Sequence, residues 1–234
     1  MRILTRNIIE ENSSISMTNV DTSFPVENVY SNMLEEIMQA STNSTLITIS
    51  FDEDVTVNAI FFGFHNASNA TFVFKDSSGI TLSTISFVTP QIYEKQYISK
   101  LTTIRTIEIT MNTTEAYLFI GNISCAEYTQ LHNIRLPMTV EHIDTSMFSQ
   151  TYGGQFLYRT GITLQSFNVD CDKITDAQLA EFEAAYAEVH KGKAWWMDRN
   201  EELDAQIFGA FDANYHTTRR NTLTDLSFSF KESR

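Results

Sequence analysis

The stretch from residue 46 to residue 74 constrains the fold more than any other part of the chain. Polar and apolar side chains alternate over residues 46–51, which is the period of two that gives a β-strand one apolar face. Residues 55–64 are denser in apolar side chains, as in a strand that is covered on both sides. The acidic residues 52–54 predict a turn between these two runs. A third run, rich in aromatic and β-branched side chains, follows at 70–75, so the stretch predicts the core of a β-sandwich.

The strand pattern continues through the first half of the chain. The polar cluster at 66–69 and the segment 76–79 predict turns, and the glycine of the second segment can adopt a positive φ. Residues 80–87 change parity partway, which predicts a hairpin strand with a bulge near Ser83 and Thr84. Two further strands are predicted at 103–111 and 116–121. Strands at this short and even spacing predict a β-sandwich or jelly roll.

The second half carries one predicted helix, at residues 176–191. Thr175 is the expected N-cap, and Gln178 three residues later completes a capping box. One stripe of this helix is apolar and is expected to pack against a sheet; it comprises Leu179, Phe182, Tyr186 and Val189. The strands of that sheet are predicted at 161–170, with a bulge near Gln165 and Ser166, and at 206–215 and 223–230.

A change in composition between residues 127 and 150 predicts a boundary between two domains. The segment is poorer in strand patterns than the chain before it, and it contains Pro137. We therefore expect a β-sandwich over residues 1–128 and a small α+β domain with one helix over residues 129–234. The fold class is mainly β.

Charge and composition narrow the classes of partner. The chain of 234 residues has a formal net charge of −13, so its summed field repels nucleic acid. No apolar run is long enough to cross a bilayer or to form a signal peptide, which predicts a protein made in the cytoplasm that has no membrane partner. Cys125 and Cys171 match no zinc or redox spacing and are expected to be buried small hydrophobic residues.

The sequence contains no pattern typical of catalysis or of a cofactor site. Its five histidines are scattered, with no pair at metal-binding spacing on a helix. There is no phosphate-binding glycine loop, dinucleotide fingerprint or nucleophile elbow. We therefore expect no enzymatic activity, no cofactor and no resident metal. The acidic residues 52–54 leave one alternative open, which is a calcium ion held by carboxylate and carbonyl oxygens.

Several short motifs of the first half occur in a recognisable order. They are 24–28 (FPVEN), 47–49 (ITI), 57–60 (VNAI), 65–66 (HN), 72–74 (FVF) and 76–79 (DSSG). In this order, over about residues 20–125, the chain resembles the galactose-binding-like, or discoidin-like, β-sandwich domains that are common in bacteriophage virion proteins. Sugar-binding members of that family usually carry a tryptophan in the loop after the first motif, and residues 30–33 contain none.

The second half carries its own resemblance, over about residues 150–230. Its motifs contain Gly154, Gln155, Tyr158, Arg159, Ile174, Thr175, Phe182, Gly192, Trp195 and Trp196. In these residues the chain resembles the small domain of tail and baseplate proteins of tailed phages, in which strands flank one helix and the domain packs into a ring.

Trp195 and Trp196 are the residues most suggestive of an interface. Neighbouring side chains of a strand point to opposite faces, so one tryptophan can enter the core while the other faces outward. Tryptophan is enriched among interface hot spots, although both faces of a thin domain can also be covered within one chain. Arg219 and Arg220 are predicted to lie in a loop, where they could pair with an acidic neighbouring subunit.

The two resemblances together imply a structural protein of a phage tail or baseplate. Its partners would be other virion proteins and further copies of itself, in a ring around the tail axis, and it would be located in the virion. The main alternative is a carbohydrate-binding module that recognises a host-surface glycan through loops of the sandwich. Phe24, Tyr30 and Tyr93 are then the candidate glycan-binding residues. A hydrolase, or an accessory domain of one, is a third alternative.

Overall fold

The structure of this chain is a computed structural model. It describes residues 2–4, 7–30, 36–88, 93–130, 134, 139–144, 146–150, 156–159, 163–189, 195–198 and 206–232. Within these residues the chain is mainly β, with two antiparallel seven-stranded sheets and a separate two-stranded sheet. No helix in this described part of the chain is both long and apolar enough to span a membrane.

Seven strands form the first sheet. They are β2 (Ser13–Met17), β3 (Met38–Gln39), β4 (Ser44–His65), β5 (Asn69–Lys75), β6 (Thr81–Val88), β7 (Tyr93–Asn112) and β8 (Phe119–Ala126). Their order is β3-β8-β4-β7-β5-β6, and β2 pairs with β4 beside this path. A 3₁₀ helix, Val26–Tyr30, packs near β8 and β3.

The long strands β4 and β7 bend and so belong to two layers. The first part of β4 pairs with β2 and with the end of β7, whereas its last part pairs with β8 and with the start of β7. The β4–β7 ladder shifts register three times between Ser50 and Ala59. Such irregularities bend a strand and increase its twist, which is how a strand passes from one layer of a sandwich to the other.

The turn predicted at residues 52–54 is therefore wrong. The chain runs through these residues as part of β4. The Arg105 guanidinium, on β7, donates from Nε to Asp54 Oδ1 at 2.6 Å and from Nη1 to the Asp52 carbonyl at 2.5 Å. The side chains of residues 52–54 are exposed, and the Arg105 cation on the neighbouring strand compensates their negative charge, so the strand continues through them.

The core lies between the two layers. Phe62, near the end of β4, is fully buried and lies 5.6 Å from the Phe72 ring and 4.8 Å from the Phe87 ring, measured between centroids. Phe72 belongs to β5 and Phe87 to β6, so these contacts join the layers. Every residue of β4 from Ala59 to Gly63 is buried, as its dense apolar pattern predicts.

The predicted hairpin of β5 and β6 is confirmed, and its bulge lies at Leu82, next to the predicted Ser83. Phe74 pairs with Ser83 and Lys75 pairs with Thr81, so Leu82 is the additional residue. Asp76 organises the turn, since its Oδ1 accepts hydrogen bonds from the backbone N–H groups of Ser78 and Ile80, and Gly79 has a φ of +77°.

Seven strands form the second sheet, in the order β10-β13-β16-β15-β14-β1-β9. They are β1 (Arg2–Leu4), β9 (Tyr128–Gln130), β10 (Thr139–Asp144), β13 (Thr163–Ile174), β14 (Trp195–Asp198), β15 (Gln206–Arg220) and β16 (Leu223–Glu232). The two-stranded sheet pairs β11 (Met147–Gln150) with β12 (Phe156–Arg159). The bulge of β13 lies between Cys171 and Ile174, not near Gln165 and Ser166.

The N-terminal strand joins this second sheet, although the sequence places it with the sandwich. β1 lies between β14 and β9. Arg2 stands over two rings, with its Cζ 4.2 Å from the Tyr97 centroid and 5.0 Å from the Tyr128 centroid. Since Tyr97 belongs to β7, this cation–π contact ties the second sheet to the sandwich. A short helix, α1 (Ile8–Asn12), then packs on β4 and β8.

The helix α2 (Asp176–Val189) begins as its capping box predicts. The Thr175 N–H donates to Gln178 Oε1 at 2.9 Å, and the Gln178 N–H donates to Thr175 Oγ1 at 3.3 Å. Phe182 is buried, with its ring 5.1 Å from the Phe228 ring and 5.4 Å from the Tyr215 ring. The predicted packing of this stripe on β15 and β16 is confirmed at Phe182; the side chain of Val189 lies outside the described ones.

The mainly β fold with an N-terminal jelly-roll sandwich is confirmed. The division into domains at residue 128 stays a prediction.

Candidate functional site

Loops at one end of the sandwich meet around Asn66. They are the segments 19–25, 40–43, 65–69 and 112–118, which we call the loop surface. Backbone hydrogen bonds join them: the Ala40 N–H donates to the Leu118 carbonyl, the Ser41 N–H to the Asn19 carbonyl, and the Ser68 N–H to the Asn112 carbonyl. Loops that bond to each other in this way present their side chains from a fixed backbone.

Asn66 holds the loop 112–118 in place through its side chain. Nδ2 donates to the Tyr117 carbonyl at 2.9 Å and to Glu115 Oε2 at 3.2 Å. Oδ1 accepts the Phe119 N–H at 2.9 Å. The Thr113 hydroxyl adds a bond to the Asn66 carbonyl at 2.7 Å and accepts the Glu115 N–H at 3.3 Å. The Asn66 side chain thus adds to the backbone hydrogen bonds that Thr113 and Leu118 make to the segment 40–43.

The loop displays an exposed tyrosine between two buried anchors. Tyr117 is 45% exposed, whereas Leu118 is fully buried and Thr113 is 6% exposed. In the neighbouring segment 65–69, His65 is buried, stacks on Phe62 at 4.6 Å and accepts the Ala67 N–H at Nδ1. A rigid aromatic side chain on a fixed loop is the usual platform for the apolar face of a ligand.

Two further aromatic side chains are exposed on segments close to Phe119, which follows the loop 112–118. Phe64 is 39% exposed, and its ring centroid lies 5.9 Å from that of Phe119. Phe24 is 37% exposed, and its carbonyl accepts the Gln39 N–H. Because Gln39 pairs with Phe119, the backbones of Phe24 and Phe119 lie on either side of β3. The loop surface therefore combines exposed aromatic rings with the polar side chains of Asn66 and Glu115.

The three predicted glycan-binding residues have different positions. Phe24 belongs to the loop surface. Tyr30 ends the 3₁₀ helix and packs against the core while half-buried; burial, together with the negative charges of Glu27 and Glu10, raises the pKa of its hydroxyl. Tyr93 pairs with Gly63 at the start of β7, and its side chain lies outside the described ones. The sequence interpretation missed Tyr117. Its loop is held by Asn66, which is distant in the sequence.

The predicted interface residues lie on the second sheet. Trp195 and Trp196 form β14, where they pair with Gly209 and Phe208, and their side chains lie outside the described ones. Arg219 and Arg220 end β15 and do not lie in a loop as predicted. Both are exposed, and each already has an acidic partner in its own chain. Arg219 Nη2 lies 3.3 Å from Asp176 Oδ2, and Arg220 Nε lies 2.8 Å from Asp225 Oδ2.

The acidic segment 52–54 and the two cysteines have structural roles. Asp54, in the acidic segment considered for calcium, is paired with Arg105. Among the residues that the structure describes, no three His, Cys, Asp or Glu side chains are grouped to hold a metal ion. Cys125 and Cys171 are buried as predicted, and burial raises the pKa of each thiol to about 12, which makes them poor nucleophiles.

No protein-family model matches this sequence, and no curated protein matches it. Solved structures do match the fold. The lectin domain of lectinolysin, solved with Lewis B antigen, is 9% identical with a TM-score of 0.45, over 52% of this chain and 96% of that domain. A fucose-binding module of Streptococcus pneumoniae is 9% identical with a TM-score of 0.46, over 53% and 98%.

A chitosan-binding module from a Paenibacillus chitosanase/glucanase is 11% identical with a TM-score of 0.45, over 52% of this chain and 98% of that module. These neighbours share the sandwich fold that the sequence motifs predict. They are lectin and carbohydrate-binding modules, and this finding contradicts the predicted role as a structural protein of a phage tail or baseplate. The predicted virion partners and ring of copies find no support among these neighbours, and the predicted location in a virion stays a prediction.

Proposed function

We propose that this chain is a carbohydrate-binding module that takes a glycan on its loop surface and does not cleave it. The observation that carries the proposal is Tyr117, exposed on a loop that Asn66 fixes by three hydrogen bonds. The ligand class is also the one named for the solved modules described above, but the argument rests on the residues of this chain.

The chemistry of the loop surface suits a sugar ring. One face of a pyranose is lined by C–H groups, which pack against an aromatic ring, while its hydroxyls require donors and acceptors at the edge of that ring. Tyr117 and Phe24 supply exposed rings, and Glu115 supplies a carboxylate on the same loop, where the Asn66 Nδ2 bonds both to Glu115 Oε2 and to the Tyr117 carbonyl. Because Asn66 already holds the loop, little conformational entropy is lost when a ligand binds.

Charge narrows the class of glycan that the loop surface can bind. Glu115 and Asp21 both belong to the loop surface, and the whole chain has a formal net charge of −13. An acidic glycan would therefore be repelled, whereas neutral and cationic glycans would not. We propose that the ligand is neutral or cationic.

The test is an array of immobilised neutral, cationic and acidic glycans, followed by calorimetric titration of those that bind. We expect binding to neutral or cationic glycans that Tyr117→Ala weakens about 30-fold or more, which corresponds to about 2 kcal/mol for a hot-spot aromatic. Ile80→Ala is the matched control, since Ile80 is 62% exposed in the turn at the opposite end of β5. Absence of binding to every glycan, or equal affinity in both variants, would refute the proposal.

A further inference from the structure

A second polar groove lies on the second sheet, far along the chain from the loop surface. It has a volume of about 410 Å³ and is lined by Asn168, Asp170, Asn214, His216, Ser227, Phe228 and Ser229. This volume falls within the range of about 300–1,000 Å³ that is typical of small-ligand sites. We call it the sheet groove.

The sheet groove occupies the face of the sheet that α2 leaves open. Along β16, the buried residues Leu226, Phe228 and Phe230 alternate with half-buried Ser227 and Ser229. The buried residues pack toward the helix, so the serines face the other way. An antiparallel sheet with one face covered and the other in water normally presents a flat polar surface, not a groove.

A bulge in β15 accounts for the concave shape. Phe211 pairs with Phe230 and Tyr215 pairs with Phe228, so three residues of β15, 212–214, stand opposite Ser229 alone. Extra residues in one strand bend it and redirect side chains. The bulge ends at Asn214, which is exposed and lines the sheet groove.

Cross-strand hydrogen bonds orient the side chains on the floor of the groove. Ser227 Oγ donates to Asp170 Oδ1 at 2.6 Å, and Ser229 Oγ donates to Asn168 Oδ1 at 2.5 Å. Each serine uses its one proton in these bonds, so its oxygen faces a ligand as an acceptor. The bond from Ser227 does not use Asp170 Oδ2. His216 pairs with Ser227 from the other side, which sets aspartate, serine and histidine in one row across three strands.

The side chains that line the sheet groove select the class of ligand. Among the lining residues whose side chains the structure describes there is no lysine or arginine, and Asp170 would repel a phosphate or a carboxylate. Phe228 is the one apolar residue among the described lining residues, and it is only 4% exposed, so an apolar ligand would gain little from it. Amide, imidazole, hydroxyl and carboxylate groups together both donate and accept, which matches ligand hydroxyls that do the same.

We propose that the sheet groove is a second binding site for a neutral carbohydrate, independent of the loop surface. Two sites on one chain would let a branched or polymeric glycan bind at both, which raises the overall affinity through effective concentration when the glycan can span them. The inference does not rest on the proposed function, because the two sites share no residue.

The experiment titrates the full chain, labelled with ¹⁵N, with glucose, galactose, fucose, N-acetylglucosamine and lactose in turn. We expect at least one sugar to shift the side-chain amides of Asn168 and Asn214 in a saturable way. Asp170→Ala should reduce that affinity tenfold or more, and Tyr117→Ala should leave it unchanged. Glu181→Ala, on the exposed side of α2, is the control for loss of a negative charge.

A folding defect is separated from a binding defect by a second variant. Asp170→Asn retains an acceptor for Ser227 but lacks the carboxylate, so it should fold normally and still bind more weakly than the unaltered chain. Inorganic phosphate is the probe for an anionic ligand. The inference is overturned if no sugar shifts the two amides up to its solubility limit, or if phosphate shifts them and the sugars do not. Shifts confined to the loop surface would overturn it while leaving the proposed function intact.

Discussion

Replacing Asn66 by alanine tests whether this side chain fixes the loop surface. The substitution removes the bonds to the Tyr117 carbonyl, to Glu115 and from the Phe119 N–H. A hydrogen bond contributes about 0.5–1.5 kcal/mol net, and the two bonds donated by Nδ2 are solvent-exposed, so the lower part of that range applies to them. We expect the free energy of unfolding to fall by about 2 kcal/mol. For a chain of this size the melting temperature should fall by roughly 4–8 °C.

Amide hydrogen exchange locates the effect. In Asn66→Ala the Phe119 N–H loses its acceptor and should exchange faster, whereas the Leu118 N–H keeps its bond to the Thr42 carbonyl and should exchange as before unless the whole loop opens. Glycan affinity should fall as well, because binding would then have to order the loop. Calorimetry and exchange on the same preparation separate lost stability from lost loop order.

Asn43→Ala is the matched control for this prediction. Asn43 is exposed in the same group of loops, and its backbone carbonyl accepts the Thr113 N–H, a bond that alanine retains. Its stability should stay within about 0.5 kcal/mol of the unaltered chain. If Asn66→Ala also stays within that limit and the Phe119 amide keeps its protection, then Asn66 does not hold the loop and the argument for a preformed site fails.

Three further predictions concern the core and the domains. Phe182→Ala should lower the free energy of unfolding by about 3–5 kcal/mol in chemical denaturation, because the ring fills the space between α2 and β16; a loss below 1 kcal/mol would contradict this packing. The Cys125 pKa, raised to about 12, keeps the thiol protonated in the folded state, so this thiol lowers the free energy of unfolding by about 1.4 kcal/mol per pH unit between about pH 9 and 12, in addition to a similar decrease from Cys171. In Cys125→Ala the free energy of unfolding should fall less steeply with pH. An unchanged slope would argue against burial of the Cys125 thiol. Limited proteolysis should cut between residues 127 and 150 and leave a folded sandwich. If both halves are degraded together, the division into two domains is wrong.

Local patterns in the sequence predicted the elements whose cause is local. The capping box at Thr175 and Gln178 involves two residues three positions apart, and both of its hydrogen bonds are present. The turn segment 76–79 likewise predicted the hairpin of β5 and β6, because it joins two strand patterns that are adjacent in the sequence. In these cases the interacting groups lie within a short window, so their pattern carries the structural information.

Bulges show where local information ends. A change of parity indicated an extra residue in β13, but the register shift lies later in the strand, between Cys171 and Ile174. Lys173 has a φ of +55° there, and its N–H donates to Asp225 Oδ1 at 3.0 Å. Because Asp225 is on a different strand, the position of the bulge depends on a tertiary contact. The misplaced turn at residues 52–54 has the same origin, since Arg105 lies 51 positions beyond Asp54.

The candidate sites were harder to predict than the core for the same reason. Asn66 marks a turn in the sequence, and nothing nearby indicates that its side chain will bond to residues 115–119 on another loop. The polar side chains of the sheet groove likewise come from β13, β15 and β16. Its shape comes from a bulge in β15, where the sequence pattern predicts an ordinary strand. Core positions repeat with the period of their own strand, so one strand suffices to find them. A binding site assembles single residues from several strands, and only the registers between those strands bring them together.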